Sequence, residues 1–320
     1  MRFVVLVNGG AGSVDDAEDA EELAAIDLAF SKAGAEANVD VVAPADFQRV
    51  MTDAWAASTR PDAIVVAGGD GTVNCAADVA AGTDIVLAVL PMGTFDHFAK
   101  DLGMPTVLDE AAAAIAGGTV REVDVAEVNG RVFVNNSTLG AYPAMVADRD
   151  RLRDAKGWGK VRAVPVAALA VWRDLPLHRL TLQGPGFERE HVRTPFVFIG
   201  NGVYDNAHFG THEREGLESG VLGVAVGRVV SRWGLLRMVV SALVRGDRST
   251  RDLDTAELTD LTIDAHTRRL RVSLDGEVEW FDTPLRYRSR PGALRVLGPP
   301  VPAPGGPETE ADGERTTVSP

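Results

Sequence analysis

Residues 63–74 read Ala-Ile-Val-Val-Ala-Gly-Gly-Asp-Gly-Thr-Val-Asn, and no other segment restricts the fold as much. Five apolar residues in a row read as a short strand buried on both faces, the pattern of a parallel sheet covered by helices. Gly68, Gly69 and Gly71 surround Asp70 in a tight turn, and an alanine-rich helical pattern restarts at Val73. In α/β folds the carboxyl end of such a strand, facing a helix N-terminus, is where anions bind. Glycines there let the backbone approach a phosphate closely. Asp70 is the odd member, because a carboxylate beside phosphates is repulsive unless it holds a cation or orients a donor. The combination points to a nucleotide phosphate with Mg²⁺ and hence to phosphoryl transfer, against the plainer alternative of a structural turn.

The flanking sequence repeats the alternation. Phe3–Val7, Val39–Val42 and Ile85–Leu90 read as strands; Asp15–Ala33, Asp46–Ala57 and Val73–Ala81 read as helices. Acidic residues in the early turns of the first helix suit its dipole. A βαβαβαβ order predicts a parallel sheet with helices on both faces. Two more glycine turns follow strands, Asn8-Gly9-Gly10-Ala11-Gly12-Ser13 and Pro91-Met92-Gly93-Thr94. Each alone is an ordinary strand-to-helix turn, but together they would face one cleft. No G-x-x-x-x-G-K-[ST] occurs, which excludes a P-loop enzyme, and no G-x-G-x-x-G opens the first helix, which weighs against a Rossmann dehydrogenase.

Past Val120 the texture changes. Val125–Asn136, Leu177–Leu182, Thr194–Ile199, Leu222–Val230, Asp260–Asp264, Leu270–Asp275 and Leu285–Tyr287 read as strands between turn residues, which suits an antiparallel sheet or sandwich. Helical patterns interrupt them at 160–174 and 233–243. With 320 residues the chain exceeds the roughly 250 that one core usually serves. The expected division is an α/β nucleotide-binding domain over 1–123, completed by 286–298, and a β-rich domain over 124–285. Residues 299–320, rich in Pro, Gly and acidic side chains, read as a disordered tail.

A formal charge of −14 argues against nucleic acid as a partner, since a polyanion needs a basic face. Cys75 is the only cysteine, so no internal disulfide or thiolate metal cage can form, and a reduced cytoplasmic setting is expected. The N-terminus is too short and strand-like for a signal peptide, and no stretch reaches the roughly 18 apolar residues of a membrane span. Arg149, Arg151, Arg153, Lys156, Lys160 and Arg162 surround Trp158 ahead of an apolar run, a pattern that suits transient contact with the inner membrane face or a core helix with a charged start.

Further candidates lie late in the chain. If Asp275 and Glu277 share a strand they point to the same side, as a carboxylate pair for base and cation work; an Asp-Gly hairpin turn is the alternative. Glu213, Glu215 and Glu218 in a glycine-containing loop suit Mg²⁺ or Ca²⁺, or are solvated charge. His208 and His212 flank Gly210 without a third ligand at familiar spacing, which disfavours zinc.

Taken in order, these motifs resemble the diacylglycerol kinase catalytic-domain family, which includes the sphingosine kinases and bacterial soluble lipid kinases. Gly68–Asn74 matches its G-G-D-G-T-x-N, Gly93–Pro105 is similar to its G-T-x-N-x-F-A-x-x-L-G-x-P, and Asp275-Gly276-Glu277 matches its late D-G-E. The likeness runs to about Leu297. It implies an NAD kinase-like nucleotide domain followed by a β-rich domain, with ATP and Mg²⁺ in the cleft. Asp70 would position phosphates and metal, Asp275 would be the general base toward a lipid hydroxyl, and Glu277 would assist at the metal or nucleotide. Asn8, Gly68, Gly69, Gly71, Thr72, Gly93 and Thr94 would line the nucleotide site. Glu215, Glu218 and the Gly220 carbonyl would hold a structural Mg²⁺, with glutamates where the family has aspartates. The chain departs from the pattern at Asp96, where the family has Asn, at Cys75, where it commonly has Glu, and at 204–210, where it has a glycine-rich run. NAD kinase-like activity, which shares the G-G-D-G turn, and a non-catalytic nucleotide- or lipid-binding homologue are the alternatives. The sequence leaves a homodimer open.

Overall fold

The computed structural model describes residues 1–9, 16–140, 177–204, 214, 216–228 and 253–300. The first part alternates as its hydrophobic pattern predicts: β1 (Arg2–Asn8), α1 (Asp16–Lys32), β2 (Glu36–Val42), α2 (Phe47–Ala56), β3 (Ala63–Gly68), α3 (Asp70–Ala80), β4 (Val86–Pro91), α4 (His97–Asp101) and α5 (Leu108–Ala116). β1 pairs in parallel with β2 and β3, and β3 with β4. Ile64, Val65 and Val66 of β3 are fully buried, the environment that an unbroken β-branched run requires.

The rest is β-rich: β5 (Thr119–Val128), β6 (Arg131–Phe133), β7 (Asn136–Gly140), β8 (His178–Gly184), β9 (Phe187–Thr194), β10 (Phe196–Asn201), β11 (Leu222–Gly227), β12 (Leu253–Leu258), β13 (Asp260–Ala265), β14 (Arg269–Leu274), β15 (Glu277–Asp282) and β16 (Leu285–Gly298). The expected strand over 125–136 is broken between β5 and β6 at Asn129-Gly130, whose φ values of 47° and 86° belong to a hairpin turn.

Two sheets result, one of ten strands containing β2-β1-β3-β4-β16-β13-β8-β9 and one of six in the order β12-β11-β10-β7-β14-β15. A first core fills the space around β1, β3, β4 and the helices. A second core lies between the six-stranded sheet and the antiparallel arm of the larger one, for it draws on Leu180, Ile263 and Tyr287 from one side and on Ile199, Val224 and Val272 from the other. The β-rich part is therefore a sandwich. One of its sheets, however, continues the parallel sheet of the first part. The hinge of that continuity is β16, whose start pairs antiparallel with β13 and whose end, Arg295 and Val296, pairs in parallel with β4. Its register against β5 shifts between Arg290 and Leu294, where Gly292 takes a φ of 59°. The helical patterns at 160–174 and 233–243, and the tail beyond Pro300, lie outside the described residues. Among the described residues no helix is long and apolar enough to cross a membrane.

Candidate active site

The carboxyl ends of β3 and β4 lie side by side, with Gly68 opposite Pro91. α3 begins at Asp70 rather than Val73, with Gly69 as its cap, so the glycine turn is shorter than its sequence suggests and Asp70 stands in the helix's first turn. A Cβ on Gly93 would fall 2.6 Å from the Cα of Gly69, so the two glycine turns pack back to back and backbone occupies the space of a side chain. Asn8 Nδ2 donates to Thr72 Oγ1 at 2.7 Å, which ties the end of β1 to the same turn; Gly10–Ser13 lie outside the described residues. Asp70 Oδ1 accepts the His97 N–H at 2.9 Å and so anchors the start of α4. Asp96 sits in the left-handed region at φ 49°, and both its carboxylate oxygens accept the Gly93 N–H, at 3.0 and 3.1 Å. Asn and Asp tolerate that conformation equally and both accept through Oδ1, so the departure at 96 keeps the turn and changes the charge. Burial raises the Asp96 carboxyl above its usual range, the Gly93 N–H opposes this, and the charge of Asp70 adds to it.

The late motif arrives from the other sheet. Asp275-Gly276 is the turn of the β14–β15 hairpin, with φ of 47° and 93°, so Asp275 and Glu277 do not share a strand as an alternating pair. The turn sends them to different tasks. A Cβ on Gly71 would lie 2.7 Å from Glu277 Oε1, which puts Glu277 against the first turn of α3. Asp275 lodges in a nest of three consecutive backbone N–H groups: Val134 donates to Oδ2 at 2.9 Å, and Asn135 and Asn136 donate to Oδ1 at 2.9 and 2.8 Å. The Asn74 carboxamide, turned so that its NH₂ meets acceptors, donates to Asp275 Oδ2 and to Val132 O, each at 3.1 Å. Burial pushes the Asp275 carboxyl up to about 6; the three N–H bonds pull it down, and the negative charge of Asp70 raises it further. Such a group is ionised at neutral pH and basic enough to accept a proton. The glycine turns and the nest thus bring Asp70, Glu277 and Asp275 to one cleft.

The chain's likeness to known proteins follows the same residues. The sequence profile of the diacylglycerol kinase catalytic domain matches residues 2–128. A Pseudomonas aeruginosa protein named probable lipid kinase YegS-like is 30% identical over 288 residues, covering 86% of this chain and 89% of that one. The chain belongs to the diacylglycerol kinase catalytic-domain family. A Mycobacterium tuberculosis diacylglycerol kinase is 28% identical over 260 residues, covering 79% of this chain and 82% of that one. The crystal structure of a diacylglycerol kinase from Bacillus anthracis shares the fold with a TM-score of 0.67 at 22% identity, covering 93% of this chain and 97% of that one.

Set within that family, the site takes in residues to which the motifs alone assign no role. Asn74 closes the G-G-D-G-T-x-N signature, and its contact with Asp275 gives that position a partner across the cleft. Cys75, at the family's Glu, is half-buried, and burial pushes its thiol up, with Asp78 and Glu277 adding to the effect. Arg131 binds Asp78 and Glu279 beside it, at 3.5 and 3.0 Å. Behind the nest lies Arg214, whose side chain is 1% exposed and whose Nε faces Asp101 Oδ2 at 2.9 Å. Nothing in the spacing of Asp101, Tyr204 or Arg214 marks them, since they meet only through the fold. Of the second acidic group, Gly220 donates its N–H to Asp124 Oδ2 at 2.6 Å, and Glu218 carries its charge toward Arg121. Glu213, Glu215, His208, His212 and the basic cluster around Trp158 lie outside the described residues. Thr94 is exposed at the cleft rim, next to the Phe95 ring, which stacks on His97 at 5.6 Å between centroids.

Proposed function

We propose that this chain is a lipid kinase that transfers the γ-phosphoryl group of ATP to a lipid hydroxyl, with diacylglycerol or a related lipid as acceptor. The observation that carries the reading is Asp275, a carboxylate raised to about 6 in a nest of backbone donors, facing the glycine turns that suit a nucleotide. In the reaction Asp275 takes the hydroxyl proton as the acceptor oxygen bonds to the γ-phosphorus, and the bond from that phosphorus to the β–γ bridging oxygen breaks to release ADP. The start of α3 would attract the phosphates through its N-terminal N–H groups, with Gly69 and Gly93 packed on each other and Gly71 against Glu277 to shape the turn around them. Asn8 and Thr72 brace that turn.

Among the described residues no three His, Cys, Asp or Glu side chains converge as a self-sufficient metal site. Asp70 in the first turn of α3 and Glu277, whose Oε1 lies against Gly71 of the same turn, are a pair of carboxylates that fits Mg²⁺, which commonly takes one or two carboxylates and completes its shell with phosphate oxygens and water. Asp70 would hold it with help from Glu277, and when bound it would neutralise charge developing on the phosphates. A cavity of about 300 Å³ on the six-stranded sheet, lined by Phe198, Val203, Tyr204 and Ala225 together with the polar Thr255 and Glu257, would suit an acceptor that has both an apolar and a polar part. The relatives from P. aeruginosa and M. tuberculosis, named for lipid and diacylglycerol kinases, support the same class.

The deciding experiment incubates the chain with γ-labelled ATP and Mg²⁺ over a total lipid extract, with an Asp275→Asn control and a separate arm offering NAD. Label in a lipid, lost in the control, is expected. Label in NAD alone would replace this reading with the NAD kinase-like one, and ATP binding without transfer to any lipid would favour the non-catalytic one.

A further inference from the structure

Asp275 Oδ1 is held by the N–H groups of Asn135 and Asn136, and each of those N–H groups belongs to a peptide whose carbonyl is itself gripped from behind. The peptide ending in the Asn135 N–H begins with the Val134 carbonyl. That oxygen accepts Arg214 Nη1 at 2.7 Å and Asn201 Nδ2 at 3.0 Å. The peptide ending in the Asn136 N–H begins with the Asn135 carbonyl, which accepts Tyr204 Oη at 2.8 Å and the Asn201 N–H at 2.9 Å. We propose that Arg214 and Tyr204 are positioning residues for Asp275, acting through these two peptide groups to fix the direction and strength of the bonds on Oδ1. The inference rests on the reading of Asp275 as the proton acceptor.

Two physical arguments support it. Donors on a carbonyl polarise its peptide, so the N–H on the far side becomes a better donor; the effect passes along hydrogen-bonded chains in a low-dielectric interior. Arg214 is also a costly residue to bury, at several kcal/mol for a desolvated ion, and a plain packing role would be met by an apolar side chain. Its Nε forms an ion pair with Asp101 at 2.9 Å and its guanidinium lies 5.8 Å from the Phe98 ring, both in α4, while neither Nε nor Nη2 has a well-aligned hydrogen-bond partner among the described residues. α4 begins at His97, whose N–H is held by Asp70. Arg214 therefore joins the helix seated on Asp70 to the nest that seats Asp275, one side of the cleft to the other. The Tyr204 ring packs where a Cβ on Gly200 would sit, so its hydroxyl cannot swing away without moving β10.

The test compares Tyr204→Phe and Arg214→Lys with the parent in steady-state lipid phosphorylation, and repeats both in an Asp275→Asn background. Tyr204→Phe keeps the ring and removes only the donor, so it decides the matter if Arg214→Lys fails to fold. Expected is a kcat lowered about 10-fold for Tyr204→Phe and by about 10-fold to 100-fold for Arg214→Lys, the scale of a displaced reacting group, with KM for ATP within about twofold of the parent. In the Asp275→Asn background neither change lowers the residual rate further. If Asp275→Asn abolishes transfer but both variants keep the parental kcat, or if their loss appears as a raised KM for ATP, the positioning role is overturned and the general-base reading stands. If Asp275→Asn itself stays fully active, the general-base reading falls first.

Discussion

At the scale of single residues, the chemistry concentrates on carboxylates whose environments differ. Asp275 combines desolvation with the nearby charge of Asp70, against three N–H donors, and the balance leaves it at about 6. With that group as base, kcat/KM for the free enzyme falls about tenfold per pH unit below its pKa, which a pH–rate profile checks. The same shift has a sign for stability. The folded chain binds this proton more tightly than the unfolded chain, so the contribution is fully present below the unfolded carboxylate value of about 3.9 and is lost as pH rises through about 6. The stability of the parent relative to Asp275→Asn is therefore expected to decline across that window, by about 3 kcal/mol at most, and to level off above it. Urea unfolding of both proteins over a pH series measures the difference, and a flat difference would contradict the shift. Asp70, Asp275 and Glu277 are legible in the sequence because they fall in glycine-containing motifs of a recognisable order along the chain, although Asp275-Gly276 by itself would pass for an ordinary hairpin turn. Arg214, Tyr204 and Asn201 are not, because they reach Asp275 through the backbone of residues 134–136 and no spacing rule describes such contact.

At the scale of elements, glycines and edges separate what a sequence displays from what it hides. The turns after β3 and β4 are legible because backbone packs on backbone there. Gly93→Ala puts a methyl group 2.6 Å from the Gly69 Cα and 2.5 Å from Asp96 Oδ1, a clash that side-chain rotation alone cannot relieve. The expected result is a loss of about 1–3 kcal/mol in stability together with weaker ATP binding, which urea unfolding and calorimetric titration read separately. Unchanged ATP affinity would show that the turn does not touch the nucleotide. Four strands escape the sequence pattern, β7, β9, β12 and β15. β7 lies inside the six-stranded sheet, and its short Asn-Ser-Thr-Leu-Gly run shows little apolar alternation, whereas β9, β12 and β15 are terminal strands of their sheet orders. Edge strands carry charge to discourage pairing with other chains, and charge erases the alternation by which strands are recognised. The polarity is used within the fold as well: Arg189 of β9 binds Asp254 of β12 at 3.1 Å, edge to edge across the sandwich. Glu279 of β15 likewise binds Arg131 of β6. The sequence of the β14–β15 turn allows a strand-borne pair or a hairpin, and the positive φ of Asp275 and Gly276 selects the hairpin without removing Asp275 from the cleft.

At the scale of the whole molecule, the two cores are not independent bodies. β5 gives Val123 and Val125 to the first core and Ala126 and Val128 to the second. β16 gives Leu285 and Tyr287 to the second and Leu294, Val296 and Leu297 to the first. These two strands pair with each other from Tyr287 opposite Val128 to Gly298 opposite Thr119, so neither core can lose them and remain packed. A chain of 320 residues would ordinarily be expected to unfold domain by domain. Sheet continuity predicts instead a single calorimetric transition for the described body. A substitution on either side of the shared strands should lower that one transition: Leu294→Ala removes a fully buried side chain from the first core and Leu180→Ala one from the second, each worth about 2–5 kcal/mol. Scanning calorimetry of the parent and both variants is the measurement. Two resolved transitions, with Leu294→Ala moving only one and Leu180→Ala only the other, would show that the cores unfold separately despite their common strands. One transition displaced by both variants would mean that the glycine turns and the Asp275 nest, carried by different cores, are held in register by the same cooperative unit.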